Sequence, residues 1–99
     1  MYEWKSEYSD VLTRKLKKLK QKNPKQFSIV IKKRDEIKQI IPQNPEHYKF
    51  LRKDMKGFKR VHIDKHFILV FKVDKAQMVI RFEDYDHHDK IYKRIHELA

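Results

Sequence analysis

Apolar and polar residues along this chain alternate in two different rhythms, and the switch between them outlines the fold. Tyr2, Trp4 and Ser6 fall on one side of a period-two stretch, which predicts a short first strand. Leu12, Leu16 and Leu19 then recur at helical spacing, flanked by Tyr8 and Val11, with Arg14, Lys15, Lys17, Lys18 and Lys20 on the opposite face. Ser9 is placed to cap that helix, and Asp10 sits favourably at its positive end. Asn23-Pro24 closes the first helix and opens a second, because asparagine suits an N-cap and proline the first helical position. Phe27, Val30, Ile31, Ile37 and Ile41 form the second stripe, and Pro42 ends it. Two helices joined by so short a turn predict an antiparallel hairpin.

The rhythm returns to two after residue 57. The segment from Gln43 carries a turn at Asn44-Pro45, and His47, Tyr48, Phe50 and Leu51 fit either a helical turn or extended chain. Gly57 is the only glycine and precedes a strand, where a positive φ is useful. Phe58 to Ile63 alternates as a strand. Phe67 to Val73 is an almost unbroken apolar run, as expected of a central strand buried on both faces. A turn at Asp74-Lys75 or Lys75-Ala76 leads into a strand in which Met78, Ile80 and Phe82 oppose Val79 and Arg81. Ile91, Ile95 and Leu98 mark a closing helix beginning near Asp86. The pattern is β-α-α-β-β-β-α, an α+β fold. Its last three strands form an antiparallel meander, the helical hairpin covers one sheet face, and the other face is left for solvent or ligand.

Strand register selects the residues on that open face. Pairing Val61 with Leu69 and Ile63 with Phe67 keeps the apolar set on one side and leaves Asp64-Lys65-His66 as a three-residue loop. Arg60 and His62 then face the open side beside Val70 and Ile68, and His66 lies at the rim. Arg81 and one of His87 or His88 are expected to converge with them, and Tyr92 shares a helix face with His88.

Composition narrows what such a patch does. The chain has 99 residues, the size of one domain spanning 1–99, and no stretch long and apolar enough for a membrane span. The polar N-terminus has no signal-peptide pattern, and the absence of cysteine excludes a disulfide scaffold and fits a cytoplasmic setting. Twenty-five Lys and Arg against 14 Asp and Glu leave a formal charge of +11, which attracts nucleic acid or an acidic protein partner. Four of the six histidines, His62, His66, His87 and His88, lie in the strand-rich part. Cleaving RNA without a metal needs a base for the 2′-hydroxyl, an acid for the departing 5′-oxygen and cations for the phosphorus-bound charge. Histidine titrates nearest neutrality and suits both proton transfers, and arginine matches phosphate geometry. His62 and His66 do make an H-x3-H pair. One lies on a strand and the other on a loop, so the spacing does not match a zinc site and no metal or other cofactor is expected. The bland readings are a surface histidine at His62, helix-start polar residues at His87-His88, and a plain ion pair from Arg81 to Glu83 or Asp86.

The element order together with LRKDMKGFKRVHID, HFILVFKV and DHHDKIY resembles the RelE/ParE superfamily of type II toxins, over essentially the whole chain. The resemblance implies metal-independent mRNA cleavage in the ribosomal A site and neutralisation by an acidic antitoxin. The chain departs from the RelE branch at Ile68, where that branch carries an arginine early in the third strand. RVHIDKHF is more similar to the histidine-using YafQ-type branch. On that likeness His62, His66 and His88 are expected to carry proton transfers, with His66 standing where the branch has an acid. Lys59, Arg60, Arg81 and Tyr92 are expected to contact phosphate or base. Two rival readings are a ParE-like toxin that inhibits gyrase without nuclease chemistry, and a non-catalytic RNA-binding domain.

Overall fold

The computed structural model describes residues 3–51 and 57–98, with side chains as far as residue 94. The elements run β1 (Lys5–Tyr8), α1 (Asp10–Lys22), α2 (Pro24–Ile40), β2 (Phe58–His62), β3 (Phe67–Asp74), β4 (Val79–His87) and α3 (His88–Leu98). Tyr2 and the side chains of Ile95 and Leu98, all part of the expected pattern, lie outside the described residues. No helix among the described residues is long and apolar enough to cross a membrane.

The strands form one sheet in the order β1-β4-β3-β2. β2, β3 and β4 are antiparallel neighbours, but β1 pairs parallel to β4, so the sheet is mixed and not wholly antiparallel. The two helices of the hairpin form the crossover that a parallel pair requires. The β2–β3 register is the expected one, with Val61 opposite Leu69 and His62 opposite Ile68.

Caps set the helix boundaries. The Ser9 hydroxyl accepts the Leu12 amide at 3.0 Å and donates to the Glu83 carbonyl. Asn23 closes α1 through its own amide to the Leu19 carbonyl, and its side chain accepts the Gln26 amide at the start of α2. Glu83 is the extra residue of a β-bulge, since Val70 pairs with Asp84 and Phe71 with Phe82. Ser9 therefore fastens the β1–α1 corner to the bulge. Ser9→Ala removes both bonds and is expected to cost about 1–2 kcal/mol, read as a lower urea midpoint with unchanged slope.

The main core lies between the hairpin and one sheet face and contains Leu12, Val30, Ile37, Ile41, Leu69, Phe71, Ile80 and Phe82. The other face is not left open as expected. Ile68 and Val70 are also fully buried, and α3 with Leu51 closes over them through Ile91. An apolar central strand needs cover on both sides, and the amphipathic closing helix supplies the second. One turn and one strand also differ from expectation. Residues 75–78 all belong to the β3–β4 turn, so Met78 sits there at φ 57° and not on the strand. β4 runs on through the acid-rich stretch Glu83 to Asp86, which sequence pattern does not mark as strand. Gly57 has φ 85°, the left-handed conformation anticipated for it.

Candidate active site

Two chain reversals meet at one end of the sheet, and each carries histidine. The first is the β2–β3 loop, held by Asp64. One Asp64 carboxylate oxygen accepts the amides of His66 and Phe67, both at 2.8 Å, and the other accepts Gln26 Nε2 from α2 at 3.1 Å. Gln26 Nε2 also donates to the Tyr85 hydroxyl, so helix, loop and strand are tied together. The second reversal is the passage from β4 into α3. The first amide of α3, that of His88, donates to the His66 carbonyl at 2.7 Å. An otherwise unpaired helix-start donor thus locks the two reversals to each other.

The result is a cluster of three imidazoles. The His66 and His87 rings lie parallel with centroids 5.6 Å apart, and the His88 ring is tilted, 6.4 Å from His66 and 4.6 Å from His87. Phe67 closes the cluster from beneath, edge-on to His87 and stacked on Tyr85. The carboxylate of Asp89 lies 2.9 Å from His88 Nδ1, and the Asp89 amide donates to His87 Nδ1. His66 is exposed and the other two are half-buried, so all three meet solvent.

The remaining expected residues divide. His62 is exposed on β2 with its Nδ1 3.4 Å from Arg60 Nη1. It lies opposite Ile68 and beyond that Asp86, about 10 Å away across two strand spacings. Arg60 and His62 therefore border the cluster along the sheet edge without joining it. Tyr92 is half-buried against the second core, and its hydroxyl donates to the Leu51 carbonyl. Arg81 does not converge with the histidines. It sits six residues from His87 along β4, about 20 Å, and pairs with Glu83 at 2.7 Å. Lys59 does not face the expected phosphate either. Strand alternation turns it opposite to Arg60, where it is buried, its ammonium donating to the Pro45 carbonyl at 3.0 Å and lying over the Phe50 ring. Ile68, where an arginine was looked for, is a core residue under α3.

A charged brace supports the site from the side. Asp84, buried, receives Lys15 of α1 at 2.7 Å and Arg94 of α3 at 3.2 Å. Lys15 also reaches Asp86 at 2.8 Å, and Asp86 accepts the His87 amide. Burial pushes the Asp86 carboxyl up. The Lys15 ammonium and the His87 amide outweigh that and hold it below the usual carboxylate range. Asp64 is likewise raised by burial and then brought lower overall by its amide bonds from His66 and Phe67. Both folded-state pKa values lie below the unfolded value of about 4, so their stabilisation is complete above that pH and is lost as pH falls through the lowered values. The melting temperature is therefore expected to drop on acidification below about pH 4. Asp86→Asn should show a smaller acid-dependent drop, measured by circular dichroism melts between neutral and strongly acidic buffers.

No family model matches the chain. It is 49% identical over 79 residues to a protein of Methanocaldococcus jannaschii named "Putative toxin RelE4", covering 80% of each chain. The chain belongs to the RelE toxin family. A Methanosarcina mazei protein of no stated function is 52% identical over 81 residues, which is 82% of this chain and 90% of that one. Among solved structures, the E. coli DinJ-YafQ toxin–antitoxin complex contains a chain that superposes with TM-score 0.70 at 24% identity, over 92% of this RelE-family chain and 99% of the other. A YoeB/ParE toxin from Agrobacterium tumefaciens superposes with TM-score 0.66 at 11% identity, over 85% and 98%. These likenesses establish the shared fold, in which this RelE-family chain presents three clustered histidines.

His87 joins the cluster although sequence spacing points to His88. Only His88 stands four residues before Tyr92, one helical turn away. The signal that finds it is strand length: once β4 runs to His87, Phe67 pairs with His87 directly and brings His66 alongside. The brace formed by Lys15, Asp84 and Arg94 joins residues far apart in sequence and has no local signature.

Proposed function

We propose that this RelE-family protein is the toxin of a type II toxin–antitoxin pair and that it cleaves mRNA on the translating ribosome without a metal ion. The observation that carries the reading is the cluster of His66, His87 and His88, solvent-accessible and fixed by the His88 amide to the His66 carbonyl. In the proposed reaction one imidazole takes the proton from the 2′-hydroxyl. The 2′-oxygen attacks phosphorus, and the bond to the 5′-oxygen breaks as a second imidazole returns a proton to it. The products carry a cyclic phosphate and a free 5′-hydroxyl. His66 and His88 hold these two roles, with His62 at the border of the site. Arg60 supplies charge to the phosphate, and Tyr92 offers a ring to a base. Arg81 and Lys59 are left out, because one is distant and the other is engaged below the sheet.

The charge of +11 supports both an RNA substrate and an acidic antitoxin. The solved YafQ relative is in a toxin–antitoxin complex, and we assign this chain a partner of the same kind. Tyr8, Ile29 and Phe50 are large apolar side chains exposed on its surface, available to an amphipathic partner segment.

The deciding experiment incubates the protein with translating ribosomes and maps mRNA ends. New ends bearing 5′-hydroxyls, absent without ribosomes, are expected. DNA damage on expression with intact mRNA would replace this reading with gyrase inhibition, and RNA binding with no cleavage would replace it with a simple binding domain.

A further inference from the structure

We infer that His66, His87 and His88 also form a binding site for a transition-metal ion such as Zn2+, and that occupancy switches the toxin off. The switching half rests on the proton-transfer roles given above, and the binding half does not. One ligating atom from each of the three side chains lies within 4.8 Å of the others. Zinc held by three imidazoles at about 2.0–2.1 Å places its nitrogens somewhat over 3 Å apart. The rings must therefore turn inward by about 1–1.5 Å, starting from their stacked arrangement. His66 is exposed and His88 half-buried, so neither is held by close packing. The backbone beneath them is fixed by Asp64 and by the bond between the two reversals, which limits the entropy lost on binding.

The donor set selects the ion. Three nitrogen donors suit Zn2+, Ni2+ and Cu2+, whereas Mg2+ and Ca2+ want oxygen. Asp89 stands beside the cluster, its carboxylate 2.9 Å from His88 Nδ1. A carboxylate on that nitrogen orients the ring and leaves Nε2 to the metal, the usual outer arrangement of a metal-bound histidine. His87 gives up the amide bond it accepts from Asp89 in either mode: ligation through Nδ1 uses that lone pair, and ligation through Nε2 moves the ring proton onto Nδ1. The open side of the cluster leaves the fourth position to water.

The consequence for the proposed reaction follows from the lone pairs. An imidazole nitrogen bound to metal neither accepts a proton from the 2′-hydroxyl nor donates one to the 5′-oxygen. The same two histidines cannot serve both purposes at once. His62, outside the cluster, stays free and does not restore the pair.

Full-length protein with any affinity tag removed is dialysed against ZnCl2, and bound zinc is measured against a colorimetric chelator. One ion per chain is expected. His66→Gln and His87→Gln should each weaken binding at least about tenfold, and His47→Gln, at an exposed histidine elsewhere, should not change it. Circular dichroism checks that each variant is folded. Zinc binding that is absent, or equal in the wild type and a His66→Gln/His87→Gln double variant, overturns the site. In the ribosome assay, Zn2+ at saturating concentration should lower wild-type cleavage at least tenfold. A zinc-selective chelator that spares ribosomal Mg2+ should restore it. Unchanged cleavage at full zinc occupancy overturns the switch and leaves the site standing. Absence of cleavage with no zinc present counts against the nuclease reading alone, since dialysis decides the metal site independently.

Discussion

Replacing His66 and His88 together by alanine is expected to lower ribosome-dependent mRNA cleavage by about a thousandfold or more. Each proton transfer by a positioned side chain is worth about 10²–10⁴-fold, and losing both leaves only substrate positioning and charge. The two effects will not multiply fully, because acid and base serve one displacement. Each single variant is therefore expected to come closer to the double variant than independent action predicts. The readout is the yield of 5′-hydroxyl mRNA ends from translating ribosomes, with growth arrest on expression as the cellular counterpart. Folding is a weak objection, since His66 is exposed, His88 is half-buried, and the bonds that fix their backbones use main-chain atoms. A double variant that cleaves within tenfold of wild type would sink the assignment. The pair His62→Ala with His88→Ala then ranks His62. If His62 only borders the site, as its place beside Arg60 indicates, this pair should behave like His88→Ala alone. A further loss would bring His62 into the reaction.

Ile68→Arg is expected to destabilise the protein severely and not to improve it. An arginine here would restore the residue type that the RelE branch was expected to carry. The structure makes it a core substitution: Ile68 is 1% exposed and packs with Leu51, Val70 and Ile91 beneath α3. Placing a guanidinium there with no acceptor costs about 4 kcal/mol or more, among the largest effects of single substitutions. Domains of this size are stable by about 5–15 kcal/mol, so much of the margin is consumed. Ile68→Val, which removes one methylene, should cost about 0.5–1.5 kcal/mol and serves as the measure of simple packing loss. Urea denaturation followed by circular dichroism compares the three proteins. A cooperative Ile68→Arg protein with the wild-type midpoint would mean that the second apolar cluster does not close.

The resemblance to the RelE branch places an arginine where Ile68 stands. Arg60 points to the same sheet face as Ile68 and lies beside His62. Lys59, one residue earlier, alternates to the other face and becomes a buried anchor for the Pro45 turn. Adjacent basic residues on a strand thus have opposite fates, which follows from the period of two.

Several parts of the molecule were legible without coordinates because their causes are local. Ser9, Asn23-Pro24 and Gly57 carry their instructions in side chains that cap, start or turn the backbone, and each does so where expected. The β2–β3 register was legible because one wrong step would turn Val61 and Ile63 away from the face they share with Leu69. Family membership was legible for the same reason, as a succession of such local patterns.

The rest depended on contacts between distant residues. The parallel pairing of β1 with β4 needs the hairpin to carry the chain across the sheet. The persistence of β4 through Glu83–Asp86 needs Lys15 and Arg94, 69 and 10 positions from Asp84, to offset its charge. Burial of Ile68 and Val70 needs α3 to fold back over them. The sequence alone supplied a fold, a family and a set of histidines. The tertiary structure alone decided that His87 joins His66 and His88 while Arg81 does not, because the extended β4 holds one at the loop and leaves the other about 20 Å along the strand.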